Sequence, residues 1–209
     1  MKSLVDFDAA FAALTGSLPF PWQRALYERF LSNRVDRIPA SCNLPTGLGK
    51  TSVIAIWLIA LANEPEKMPR RLVYVVNRRT VVDQTTNEVE KIRARLNNSK
   101  EGTAKEIAEK LARLSGNHLT QNSIAISTLR GQFADNREWS ADPSRPAVIV
   151  GTVDMSGSRL LVSGYGIGFK SKPLHAGFLG QDVLLIHAEA HLEPAFQQLL
   201  IWMQHEQER

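Results

Sequence analysis

The stretch Leu44-Pro45-Thr46-Gly47-Leu48-Gly49-Lys50-Thr51 constrains this chain more than any other. It follows a short apolar segment and runs directly into the apolar stretch Val53–Ala62, the context of a phosphate-binding loop between strand and helix. Closely spaced glycines let successive backbone N–H groups turn inward around a phosphate, and the helix start behind them adds partial positive charge. Lys50 can place a full charge between β- and γ-phosphates, and the Thr51 hydroxyl can ligate magnesium. Leu44 stands where the general pattern begins with glycine. Thr46, Gly47, Leu48, Gly49, Lys50 and Thr51 are therefore the candidate nucleotide-binding residues, with ATP and Mg2+ the expected ligands.

A loop of this kind belongs in an α/β domain, and the rest of the sequence agrees. Short apolar, β-branched runs alternate with helical patterns, as in a mostly parallel sheet covered by helices on both faces. The expected strands are 40–43, 72–76, 123–127, 147–151 and 183–187. The expected helices are 22–32, 50–62, 81–96, 103–114 and 194–207. The segments 115–121, 134–145 and 163–180 read as loops. A length of 209 residues suits one such domain. The longest apolar run is about half of what a bilayer crossing needs, and Asp6 and Asp8 break any leader-like apolar start. With Cys42 as the single cysteine, internal disulfides and cysteine metal cages are excluded, and a cytoplasmic location is expected.

Charge is unevenly spread. Between Lys67 and Lys100 lie nine basic residues against Asp83, Glu88 and Glu90, an excess larger than the net +4 of the whole chain. Such a cluster has two readings, a polyanion partner or a solvated helix face.

Two further constellations extend the site. Phe20-Pro21-Trp22-Gln23 precedes the loop, and the Gln23 amide carries the donor and acceptor needed to read an adenine edge. After the apolar run Val183–Ile186 comes His187-Ala188-Glu189-Ala190-His191. A hydrolytic phosphate-loop enzyme places two carboxylates at such a strand end, one toward Mg2+ and one toward the attacking water. Glu189 fills the second position; Ala188, with no side-chain oxygen, stands in the first. His187 and His191 lack cysteine or aspartate partners at ligand spacing, and His191 reads as a contact between the nucleotide site and moving parts.

Gln23, the Pro45–Thr51 loop and Ala188–His191 together resemble the first RecA-like lobe of superfamily-two helicases of the DEAD/DEAH type. Gly151-Thr152-Val153-Asp154-Met155, Gly157–Leu161 and His191–Phe196 are similar to the CRISPR-associated helicase–nuclease of type I interference systems, in the arrangement whose helicase part comes first. The resemblance runs from Pro19 to Gln198. It implies an α/β RecA-like lobe, adenine recognition by Gln23, phosphate binding by Thr46 through Thr51, catalytic roles for Lys50 and Glu189, and magnesium near Thr51 and Glu189. It further implies that Arg78, Arg79 and Thr152, with Arg130 and Arg159 as weaker candidates, contact single-stranded DNA, and that an interference complex is the partner.

Two departures qualify that picture. The resemblance implies aspartate at position 188, so magnesium positioning, and with it hydrolysis, is expected to be impaired. No Gln-x-x-Gly-Arg-x-x-Arg segment and no His-Asp dipeptide follow, so a second lobe and a nuclease part are expected to lie outside this chain. The expectation is a single first lobe with Asp changed to Ala, by design or naturally. The rival readings are a non-hydrolysing nucleotide-dependent recruitment module and a helicase lobe of another DNA or RNA system.

Overall fold

The computed structural model describes residues 4–45, 47–115, 122–129, 138, 142–161, 170 and 172–207. Four strands form one parallel sheet: β1 (Arg71–Val76), β2 (Ala125–Leu129), β3 (Ala147–Thr152) and β4 (Val183–His187), in the order β2-β3-β1-β4. Each is continuously apolar or nearly so, the pattern of strands covered on both faces. The register aligns Val76 with Thr152 and Val75 with His187, so the C-terminal ends of β1, β3 and β4 emerge side by side.

Helices cover both faces. On one lie α1 (Phe7–Thr15), α2 (Pro21–Leu31), α3 (Val53–Asn63), α4 (Arg79–Asn98) and α5 (Thr103–Ala112). On the other lie α6 (Val153–Leu160), α7 (Lys172–Gly180) and α8 (Pro194–Gln207). Alternation along the strands divides the side chains between two cores: Leu72, Tyr74 and Val76 join the first, Val73 and Val75 the second. Helix α3 has ten of its eleven residues buried. Apolar on all sides, it is the helix the phosphate loop leads into, and it lies in the centre of the first core.

The expected α/β architecture is the observed one, with four corrections. Residues 40–43, read as a strand, form no strand and are exposed. Ala-Ser-Cys-Asn is short, has no β-branched residue and lacks an apolar alternation that could hold a register. Helix α1, not anticipated, starts at an Asp6 cap whose carboxylate accepts from the Ala9 N–H (2.9 Å) and stops at Gly16 in the left-handed region. Helix α6, also unanticipated, occupies 153–160. Helix α7 forms inside the span read as a loop. Its end is held by Arg71, whose guanidinium donates to the carbonyls of Phe178 (3.1 Å) and Gln181 (2.7 Å) and also to that of Pro143 (3.0 Å). Among the expected loops, 116–121, 134–137, 139–141, 163–169 and 171 lie outside the described residues.

Candidate nucleotide site

The glycine-rich loop has the backbone that its composition predicts. Gly47 (φ 85°) and Gly49 (φ 66°) both sit in the left-handed region, where a side chain would be strained. A Cβ at Gly47 would meet nothing, so the backbone angle and not crowding demands glycine there. Lys50–Ser52 then form one turn of 3-10 helix that opens α3. Thr46, the first of the candidate loop residues, lies outside the described residues, as does Arg130.

The start of α2 packs on this loop. The Trp22 indole N–H donates to the Leu48 carbonyl (3.1 Å). Gln23, only 2% exposed, accepts the Phe20 N–H on Oε1 (2.7 Å) and donates from Nε2 to the Ser52 hydroxyl (2.6 Å). The Ser52 hydroxyl in turn donates to the Gly49 carbonyl (2.7 Å). The glutamine therefore lies beside the phosphate loop, with both ends of its amide engaged inside the protein. Trp22 was read in the sequence only as part of a segment carrying Gln23; its bond to the loop is a tertiary fact.

The end of β4 supplies the second half. Ala188 closes the strand through its N–H, which donates to the Val75 carbonyl (2.9 Å), and its methyl packs on the same core as Tyr74 and Ile186. Position 188 thus faces the side of the sheet that carries the phosphate loop. Glu189 is exposed and holds a left-handed backbone (φ 57°), a conformation that costs a non-glycine residue about 1–3 kcal/mol and that clusters at functional sites. A 3-10 turn, Ala190–Leu192, follows.

Tyr74 feels both halves. Burial pushes its phenol above the ordinary tyrosine range, the Thr51 side chain works against that shift, and the Glu189 charge adds to it. The C-terminal ends of β1 and β4 lie side by side here, where parallel α/β sheets hold ligands. Tyr74 was not among the sequence candidates; read from the sequence, it is one more apolar strand residue. A cleft of about 610 Å3 runs from Thr51 along α4 past Val81, Gln84, Thr85 and Glu88 to Lys91.

The polyanion candidates separate into exposed and buried groups. Arg78 and Arg79 are exposed at the start of α4, beside the end of β3. Thr152 ends β3 and is buried, and Arg159 on α6 is only 4% exposed. Much of the basic excess noted in the sequence is committed internally. Arg93 is bonded to Glu90 and Glu138, Lys91 to Glu88, and Arg95 and Lys67 to the backbone carbonyls of Leu14 and Leu31. Among the described residues no cluster of three or more histidine, cysteine, aspartate or glutamate side chains could hold a metal ion, and no helix is long and apolar enough to cross a membrane.

A left-handed glycine loop opening a buried helix, with an acidic turn at the end of a neighbouring parallel strand, defines a phosphate-loop domain of the RecA-like, helicase type. Residues 17–155 match the family described as "Type III restriction enzyme, res subunit", which is more than half of the chain. The chain belongs to that family, a superfamily-two helicase-type RecA-like domain. No curated protein and no solved structure matches it.

Proposed function

We propose that this chain is the ATP-binding lobe of an ATP-dependent translocase or helicase acting on single-stranded DNA. The single observation that carries the reading is a loop whose glycines adopt positive φ and which opens a buried helix, with the Glu189 turn at the end of a strand of the same sheet. The amides of the loop and the Lys50 ammonium would hold the β- and γ-phosphates. Adenine would take the amide hydrogen and lone pair of Gln23 that its two internal bonds leave over. Magnesium carried in with the nucleotide would take the Thr51 hydroxyl, while Ala188 offers it no oxygen. Glu189 would orient and deprotonate the attacking water. The strand's phosphates would pass Arg78, Arg79 and Thr152, with Arg159 and Arg130 as further contacts.

The partial donor set gives the proposal its second half: the chain binds ATP but turns it over poorly. Facing the loop side of the sheet, position 188 is where a carboxylate would reach the metal. The motifs at Gly151–Met155 and His191–Phe196 favour a type I CRISPR interference system as the setting, with a second lobe and a nuclease part elsewhere. The family match favours a restriction system as the second reading, because its description is of a restriction subunit. The missing carboxylate favours a non-hydrolysing recruitment module over an active lobe.

Calorimetry tests the core of this reading. Mg·ATP should bind, and Lys50→Ala should abolish the binding; heat that is absent, or unchanged in Lys50→Ala, overturns it. Single-turnover hydrolysis, with a second lobe and DNA supplied, should rise about 10²–10³-fold in Ala188→Asp, the usual worth of one preorganised electrostatic group. Persistent silence would assign the chain to the recruitment class. Translocation on DNA against RNA tracks then decides the polymer.

A further inference from the structure

One carbonyl of the phosphate loop is held directly by the first turn of α2, and a second by Ser52, whose hydroxyl that turn engages. The Trp22 indole N–H grips the Leu48 carbonyl at 3.1 Å. The Gly49 carbonyl accepts from both the hydroxyl (2.7 Å) and the N–H (3.0 Å) of Ser52, and Gln23 fixes that hydroxyl from behind. In a trans peptide the C=O and the following N–H point in opposite directions. Drawing the Leu48 carbonyl toward α2 therefore aims the Gly49 N–H away from it, and holding the Gly49 carbonyl does the same for the Lys50 N–H. Glycines at 47 and 49 leave these peptide planes free to rotate, since glycine occupies φ above and below zero almost equally. A flipped plane would present a carbonyl oxygen to a phosphate, exchanging attraction for repulsion.

The grip is itself rigid. The Trp22 ring packs against the main core, and Gln23 is buried and tied to the Phe20 N–H. We propose that Trp22 is a positioning residue that locks the amides of the loop toward a polyphosphate, with Ser52 doing the same one peptide later. The inference rests on the nucleotide reading of the loop and adds what sets its ligand class: α2 governs recognition of the triphosphate chain, independently of the base.

The test compares Mg·ATP with inorganic tripolyphosphate by calorimetry, in the unaltered chain, in Trp22→Phe and in Ser52→Ala. Trp22→Phe keeps an aromatic ring and removes the donor. Both ligands should weaken by the same factor, roughly five- to tenfold for one lost hydrogen bond. Amide spectra supply a readout that packing alone would not move. The tripolyphosphate-induced shift of the Gly49 N–H should shrink in Trp22→Phe, and that of the Lys50 N–H in Ser52→Ala. Should the unaltered chain bind tripolyphosphate in a Lys50-dependent manner while Trp22→Phe binds it within twofold, the positioning role is wrong and the nucleotide reading stands. Loss of ATP binding with tripolyphosphate binding intact would place Trp22 on the base and overturn the proposal equally. Absence of any Lys50-dependent binding in the unaltered chain would remove the nucleotide reading itself. If Trp22→Phe does not fold, Trp22→Leu, which also removes the donor and keeps an apolar side chain, takes its place: an unchanged tripolyphosphate-induced shift at Gly49 overturns the proposal.

Discussion

The two faces of the sheet are built differently. Beneath the phosphate loop, α3 is buried on every side, and its Trp57 is fully enclosed with its indole N–H bonded to the Pro69 carbonyl (2.9 Å). The polar groups buried on that face are paired: Asn63 holds the Val5 backbone through both ends of its amide and also meets the Tyr27 hydroxyl. The opposite face, under the Glu189 turn, is less saturated. It buries the Ser156 hydroxyl and both ring nitrogens of His187 with no hydrogen-bond partner among the described residues, and α8 leaves Trp202 69% exposed. A close-packed bed lies under the glycine-rich loop, and a less saturated one under the Glu189 turn. Buried unpaired polar groups cost stability, so the second face gains less from its burial than the first.

The contrast can be broken by mutation. Trp57→Ala should cost about 3–5 kcal/mol in urea unfolding, as fits a large side chain removed from a close-packed interior. A loss equal to that from the exposed Trp202→Ala would erase the distinction between the faces. Gly151→Ala comes next. Its new methyl would lie 2.7 Å from the Ser156 hydroxyl and 3.0 Å from the Leu129 Cβ, so the face must shift, at roughly 1–3 kcal/mol. Adding Ser156→Ala should recover part of that loss by removing both the clash and an unpaired hydroxyl, and a strictly additive double mutant would show that the two sites do not meet.

The smallest effect is expected at His187. Burial lowers its pKa below the ordinary 6.5, with Glu193 pulling weakly the other way. The unfolded chain therefore binds the proton more readily than the folded one, and stability rises with pH across this window. Stability contributed by neutral His187 is present above about 6.5 and is lost as pH falls from there toward the depressed folded value. Its ring meets Phe196 edge-on at 5.0 Å, so His187→Phe should keep the packing and flatten this part of the stability profile. An unchanged slope would locate the dependence elsewhere.

Much of this was legible in the sequence, for reasons that differ by element. Strand β4 and helix α8 fall at their expected bounds, because a continuous apolar run and an uninterrupted helical segment after Pro194 need no outside help. Helix α1 is spelled out locally too, by an aspartate cap, Phe7, Ala10, Phe11 and Leu14 on one face and a closing glycine. Helices α6 and α7 were not legible. Gly157 packs under the Phe196 ring and Arg71 holds the end of α7 from a strand outside it, so tertiary contacts stabilise what local propensity does not. The basic cluster was legible only in part for a related reason, since sequence shows the charges and not the carboxylates and carbonyls that engage some of them.

By itself the sequence determined the phosphate loop, because backbone angles open only to glycine and a lysine at the helix start leave few other uses for the pattern. It also determined the sheet class, because strands buried on both faces must be apolar throughout. Only the tertiary structure decided that β1 and β4 end side by side, that Gln23 and Trp22 face the loop, and that Arg159 is buried where Arg78 and Arg79 are exposed. Those are relations between residues far apart in the chain, and their distances are set by the register of parallel strands and the packing of α2 on α3, which no local pattern encodes.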